Sequence, residues 1–331
     1  MITKEKIYFD SIDTLRGIAA LMVCFFHLSK QFLPESHWFC WLFQEGHLGV
    51  EIFFVITGFV IPYSLYAKNY ELTDLPKFIA ARFARLLPLY WFSVFCIILV
   101  LLSPNVLPQP IGYQTTINWH DAFWHLFLLN PYLGRPWFIV IYWSLAVEFQ
   151  FYFFVALAYF GFTHIYMYAR WAMVLLFGLS AFWLNNNFFT FYAYLFLPGI
   201  LFFLLKIKKI KQLEFWLLLI FDCAALYYQR GEWTRPLIIF LTIVTMHFNQ
   251  FRFRYSKQLG DWSYCIYLFH LPIAYFILPN VQKILGLDEL NLIFILATTL
   301  IIILFSMVLH HILEKKLINI SKNIFSKSHK S

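Results

Sequence analysis

The chain of 331 residues is 61% apolar or aromatic and only 13% charged, with a formal net charge of +8. Soluble domains carry about 25% charged residues, so an ordinary soluble enzyme, a disordered chain and a disulfide scaffold are all excluded. At about 20 apolar residues per membrane-spanning helix, the apolar inventory supports roughly ten spans.

Ten apolar segments read as transmembrane helices: 11–33, 46–66, 82–103, 137–160, 168–184, 188–205, 213–228, 234–248, 260–280 and 290–313. The expected fold class is therefore an all-α polytopic membrane protein, one integral-membrane domain over 1–331 that ends in a basic tail, 314–331. The first apolar run carries Arg16 and His27 and has no small-residue cleavage site, so no cleavable signal is expected. The longest connector, 104–136, holds Pro104, Pro108, Pro110 and Gly112 and then an aromatic stretch from Trp119 to Leu129, expected at the interface or re-entrant. Ten crossings put both termini on one side. Of the 25 Lys and Arg residues only Lys30, Arg135, Arg230, Arg235 and Lys283 fall on the other. Both termini are expected in the cytoplasm, and the positive charge reads as an orientation signal that needs no nucleic-acid partner. Of the five cysteines, Cys24, Cys96, Cys223 and Cys265 lie in apolar runs and Cys40 in a connector. No zinc or disulfide framework is readable, and no metal is expected.

Ionisable side chains at membrane depth cost at least about 2.5–3.5 kcal/mol each and face a cavity or a partner. In the first span Arg16 and His27 are eleven residues apart. That is about 20° beyond three full turns and about 16 Å of rise, so both project from one face, Arg16 at the cytoplasmic mouth and His27 deep. Glu51 opens the second span near the outer boundary, in a run where Gly49 and Gly58 permit close helix approach. Arg82 and Arg85 share a face at the start of the third. They read either as guanidinium forks for phosphate oxygens or as positive-inside anchors. In the fourth span Ser144, Glu148 and Tyr152 form an i, i+4, i+8 polar stripe, with Glu148 near mid-membrane. Asp222 and His247 lie within spans and carry no assigned role. In the ninth, Ser263, Tyr267 and His270 share a face, with Pro272 expected to loosen the helix beyond them; a hydrogen-bonded Tyr–His pair that holds helices together fits equally. His310 and Glu314 stand i, i+4 at the end of the last span.

These segments resemble the acyltransferase-3 family of integral-membrane O-acyltransferases over nearly the whole chain. The matches are the Arg-x10-His pair (Arg16, His27), the run from Gly49 to Phe59, the Arg-x-x-Arg-x-x-Pro segment (Arg82, Arg85, Pro88), the segment from Trp143 to Tyr152, and the segment from Ser263 to Pro272. Each motif alone is weak, and five in the family's order are specific. The resemblance implies transfer of an acyl group, commonly acetyl from acetyl-CoA as cosubstrate, to a hydroxyl of a cell-surface or exported carbohydrate. It implies a catalytic role for His27 and an acyl-donor role for the arginines of the third span. The expected partners are acyl-CoA, a carbohydrate or lipid-linked glycan acceptor and membrane lipids, and the expected location is the bacterial cytoplasmic (inner) membrane. Thr57 stands where the family has serine and Glu51 where it has aspartate. Ala81 stands where many members carry a further arginine, which implies fewer donor-phosphate contacts. Some members continue into a soluble hydrolase-like domain, and none is expected here.

The expected mechanism has His27 as general base on the acceptor hydroxyl. Glu148 or Glu51 steadies the imidazole, Tyr267 or Ser144 donates to the oxyanion, and His270 completes the set. Arg16, Arg82 and Arg85 hold the acyl donor. The competing reading is a transporter or flippase for a lipid-linked glycan, whose fold often shows two related halves; no internal repeat is visible in this sequence. Trp119, Trp124, Tyr132 and Trp137 would suit stacking on a sugar but equally suit interface anchoring.

Overall fold

The computed structural model describes residues 10–102, 117–183, 185–287 and 290–326, and every helix and strand assignment among them is helical. In chain order the α-helices are α1 (Asp10–Phe32), α2 (Trp38–Leu42), α3 (Gly49–Ala67), α4 (Leu75–Leu102), α5 (Trp119–His125), α6 (Tyr142–Phe162) and α7 (Met167–Leu179). They continue with α8 (Ala193–Lys206), α9 (Gln212–Arg230), α10 (Thr234–Phe248), α11 (Ser256–Leu285), α12 (Leu292–Leu309) and α13 (Lys315–Ser326). The proline-rich part of the long connector, Pro104 to Gly112, lies outside the described residues, as do the first nine residues and the last five of the basic tail. The aromatic stretch after that connector is the short helix α5, and the described part of the tail is α13.

The protein is an all-α, multi-spanning membrane protein. Seven helical segments among the described residues, rather than ten, are long and apolar enough to cross a bilayer: Asp10–Phe32, Trp38–Ala67, Leu72–Leu102, Tyr142–Phe162, Phe189–Lys206, Ser256–Leu285 and Leu292–Phe325. The expected spans 168–184, 213–228 and 234–248 are helical but fall short for two different reasons. Helix α7 has 13 residues and α10 has 15. At 1.5 Å per residue they rise only about 20 and 22 Å against a hydrocarbon core of about 30 Å. Helix α9 has 19 residues but spreads Gln212, Glu214, Asp222, Gln229 and Arg230 along its length.

Pro272 does not end α11, which runs on through Pro272 and Pro279 to Leu285. A proline offers no N–H to the carbonyl four residues before it. Here that carbonyl, on Leu268, accepts instead from the Ser93 hydroxyl at 2.9 Å, and Ser93 Oγ also lies 2.8 Å from the Tyr142 hydroxyl. Neighbouring helices that satisfy a freed carbonyl in this way are what let a membrane helix keep its prolines.

The chain forms two compact units, residues 1–16, 50–79 and 147–257 in the first, and 17–49, 80–146 and 258–331 in the second. In the first unit α8 is buried from Ala193 to Leu204, which accounts for its uninterrupted apolar sequence. It meets α3 backbone to backbone. A Cβ at Gly58 would stand 2.1 Å from the Phe196 carbonyl oxygen, and one at Gly199 the same distance from that of Val55. Small residues at a crossing are the usual means of such approach in membranes. Phe196 then stacks between Phe54 and Phe151, with ring centroids 4.6 and 4.0 Å away. At one end of the unit, the Ser11 hydroxyl donates to Asn249 Oδ1 at 3.0 Å and the Thr14 hydroxyl to the Phe251 carbonyl at 2.9 Å. These bonds fasten the segment after α10 to the first turns of α1.

In the second unit a buried histidine organises the connector before α6. His125 Nδ1 meets the Asp121 carbonyl at 3.0 Å, and Nε2 accepts the Phe138 N–H at 2.9 Å. Accepting at Nε2 requires the neutral ring with its proton on Nδ1. Burial pushes the His125 pKa down to about 4, partly opposed by the Asp121 carbonyl and carboxylate. The last helical run changes winding where α12 passes through a π-helical turn, His310–Glu314, into α13. There Glu314 Oε2 meets His310 Nδ1 at 2.8 Å and accepts from the Cys265 thiol at 3.2 Å.

Candidate active site

Four of the residues expected to carry chemistry meet in the second unit. The rings of His27 on α1 and His270 on α11 lie with centroids 5.4 Å apart and planes inclined by 31°. His27 is half-buried and His270 fully buried. His270 Nδ1 meets the carbonyl of Tyr267 one turn earlier, at 2.7 Å, which marks Nδ1 as the protonated nitrogen. Its Nε2 is buried and makes no hydrogen bond among the described residues. The Tyr267 hydroxyl lies 2.7 Å from Ser144 Oγ, and both reach the carbonyl of Ile141, at 3.1 and 3.0 Å. The Tyr267 and His270 rings are 6.0 Å apart. His27, His270, Tyr267 and Ser144 thus form one string of polar groups across α1, α11 and the start of α6. The i, i+3 spacing of Tyr267 and His270 puts both on the helix face that this string needs.

The second unit also holds Arg82 and Arg85, both half-buried on the first turns of α4. Arg85 Nε is buried without a hydrogen-bond partner among the described residues. An unsatisfied guanidinium N–H in such a position is costly, and an anionic oxygen is its natural acceptor.

The two carboxylates stand in the first unit. Glu148 on α6 is half-buried and takes two hydroxyl donors on the same oxygen, Oε1: Thr57 at 3.0 Å from α3, and Tyr152 one turn along its own helix in a short hydrogen bond. Within the polar stripe Glu148 and Tyr152 are thus hydrogen-bonded to one another, and both donors converge on one carboxylate oxygen. Glu51 is buried and forms a short, direct ion pair with Arg235, which also holds Glu232 at 2.8 Å. Arg16 is half-buried on α1, in the same unit.

Several participants were not legible as such. Arg235 read only as an orientation charge, 184 residues from its partner Glu51. Nothing in the sequence around Thr57 points to Glu148, 91 residues away. Ser93 and His125 carry no motif. Among the described residues no group of three or more His, Cys, Asp or Glu side chains is placed to hold a metal ion.

A family model described as an acyltransferase domain, that of acyltransferase-3, matches residues 9–311. ORF330 of Acidianus two-tailed virus, named as an acetyltransferase, is 30% identical over 156 residues, 47% of this chain and 42% of the viral protein. SACOL0978 of Staphylococcus aureus, named as an O-acetyltransferase, is 33% identical over 159 residues, 46% of this chain and 24% of its own length. The peptidoglycan O-acetyltransferase OatA of Listeria monocytogenes is 32% identical over 155 residues, 44% of this chain and 23% of its own length. The matched region is thus less than half of the viral relative and about a quarter of the bacterial ones. No solved structure matches significantly.

Proposed function

The chain belongs to the acyltransferase-3 family, and on that premise we propose that it is a membrane O-acyltransferase that moves an acetyl group from acetyl-CoA to a hydroxyl of a cell-surface or exported carbohydrate. The observation that carries this reading is the pairing of His27 with His270 beside the Tyr267–Ser144 hydroxyl chain. The relatives named as O-acetyltransferases support acetyl as the group and oxygen as the acceptor atom.

In this mechanism neutral His27 takes the proton of the acceptor hydroxyl as its oxygen attacks the thioester carbon. The carbonyl oxygen gains negative charge and is met by the Tyr267 hydroxyl, which turns its one proton away from the Ile141 carbonyl while Ser144 keeps its own proton on that carbonyl. The tetrahedral adduct collapses, the C–S bond breaks, and the imidazolium returns its proton to the leaving thiolate. The products are an acetyl ester and free CoA. His270, protonated on Nδ1, turns the Nε2 lone pair toward this chemistry and positions the His27 ring. Transfer through an acyl-histidine at His27 uses the same groups in two steps. Glu148 or Glu51 is assigned the steadying of the imidazole on residue type alone. Arg16, Arg82 and Arg85 bind the donor phosphates, a reading supported by the unsatisfied Arg85 Nε.

One acyltransferase domain in the cytoplasmic membrane completes the proposal. The decisive experiment incubates membranes containing the protein with acetyl-CoA and follows thiol release together with acetylation of extracted surface glycan. Release that depends on His27 is expected, and full activity of His27→Ala would overturn the mechanism.

A further inference from the structure

Within the second unit, the part of α1 from Gly17 onward lies alongside α11 in a constant register. A Cβ at Gly17 would stand 2.8 Å from that of Leu259 and 3.3 Å from the Gly260 nitrogen. Ten residues further along each helix His27 meets His270, with ring centroids 5.4 Å apart, and five beyond that Phe32 meets Tyr275 at 6.0 Å. The two helices are therefore parallel and advance residue for residue, from a close approach that Gly17 permits. The same register sets Gln31, one turn past His27, opposite Ala274. We propose that Gln31 is a specificity-determining residue, which binds a second, uncharged hydroxyl of the acceptor about one helical turn from the hydroxyl that His27 deprotonates. The inference rests on the acyltransferase reading and extends it to the class of acceptor, a polyol such as a sugar as opposed to a simple alcohol.

Three observations carry it. The first is access. His27, Gln31 and Phe32 are half-buried, whereas His270, Ala274 and Tyr275 are buried. Helix α11 thus forms the floor of this seam and α1 its open edge. From His27 to Phe32 the edge is about 7.5 Å long at 1.5 Å per residue, comparable to the width of one sugar ring. The histidine pair bounds it at one end and the Phe32–Tyr275 contact at the other.

The second is the chemistry of the side chain. An amide offers both an acceptor oxygen and two N–H donors, so it can bind a hydroxyl in either role. The Gln31 Oε1 is buried, and a hydrogen bond formed there is stronger than one formed in water. Gln31 lies about 6 Å along the helix from His27. Hydroxyls on opposite sides of a pyranose ring are separated by a comparable distance, and an alcohol with one hydroxyl can reach only one of the two groups.

The third is charge. Along the facing stretches 27–32 and 270–275 the histidines are joined by a single lysine, Lys30, which is exposed and lies over the Phe26 ring at 5.4 Å. The seam itself offers hydrogen bonds, with no guanidinium fork for a phosphate or a carboxylate. The group recognised beside the reacting oxygen is accordingly neutral.

The test uses membranes containing the full chain, labelled acetyl-CoA and a graded supply of extracted surface glycan. Gln31→Met keeps the volume of the side chain and removes its amide. The half-saturating glycan concentration is expected to rise about tenfold, the loss of an ordinary hydrogen bond or two, while the KM for acetyl-CoA and the melting temperature stay where they are. An unchanged glycan requirement overturns this inference alone. So does a change shared by glycan, acetyl-CoA and melting temperature alike, which makes Gln31 a packing residue. A wild type that releases no thiol, or releases it without acetylating glycan, removes the reading on which the inference rests. A second measurement needs no substitution. Cyclohexane-1,4-diol and cyclohexanol are compared, at equal free concentration in water, as competitors of glycan acetylation by the wild type. The diol is expected to compete about tenfold better, because a site built to bind a hydroxyl rejects the analogue that lacks it. A diol that competes no better than the mono-alcohol overturns the proposal.

Discussion

The carboxylates of the first unit and the imidazoles of the second are both ionisable groups at membrane depth, yet their surroundings differ in kind. Glu51 is met by Arg235, and Glu148 by the hydroxyls of Thr57 and Tyr152. Each carboxylate is held by neighbours that form part of the fold. His270, in contrast, keeps one nitrogen bonded to its own helix and leaves the other without a partner while its ring faces His27. A buried polar group that is satisfied rigidifies a structure, and one left partly unsatisfied is where a reacting molecule gains its binding energy. The difference separates groups whose partners already lie within the fold from a group that keeps bonding capacity to spare.

The sharpest way to break that division is at His27. His27→Ala is expected to lower acetyl transfer by about 10² to 10⁴-fold, the range of a general base, while thermal melting in detergent stays close to that of the wild type. A large fall in melting temperature with activity per folded molecule retained would place His27 with the structural groups. Arg235 is the converse case. Arg235→Ala removes the direct ion-pair partner of the buried Glu51 carboxylate, and about 3 kcal/mol of stability is expected to be lost. Adding Glu51→Gln recovers at least half of it if the pair acts mainly through the fold. No recovery in the double variant would show that Arg235 matters through something other than Glu51.

His125 tests whether an imidazole in the second unit can also be purely structural. Its folded pKa of about 4 lies below the ordinary 6.5, so the unfolded chain binds more protons between those values. Stability is fully present above pH 6.5 and is lost as pH falls toward 4, by at most about 3 kcal/mol. His125→Gln is expected to flatten the melting profile across that window; an unchanged slope would remove the assignment. The smallest effect is expected at Ser93. Ser93→Ala removes the donor to Leu268 and costs about 1 kcal/mol, read as a modest fall in melting temperature with turnover unchanged.

Much of this molecule is written locally and was readable for that reason. Apolar runs of twenty or more residues announce helices whatever packs against them, and the five motifs fall within single helices or their immediate flanks. Spacing along one helix also foretold that Tyr267 and His270 share a face and that Ser144, Glu148 and Tyr152 form a stripe. Length was harder to judge. Apolarity marks α7 and α10 at least as clearly as it marks α1, but their ends are set by a change of winding at Ser180 and a left-handed residue at Asn249 that composition does not reveal. Pairings between distant segments were invisible, because nothing near Glu51 points to Arg235 and nothing near Pro272 points to Ser93. These partners become apparent only when the carbonyl or carboxylate that needs them is located in space.

The hydroxyl of Ser93 and the missing amide of Pro272 carry a consequence for the history of this protein. With an ordinary residue at 272, the Leu268 carbonyl would have its own helix to bond to, and a hydroxyl at 93 would serve Tyr142 alone. With proline at 272 it serves Leu268 as well. The two replacements are therefore unequal in order: serine first is nearly silent, whereas proline first leaves a buried carbonyl without a donor. Once both are in place, Ser93 can no longer drift freely, so an originally neutral residue becomes entrenched by a change 179 positions away.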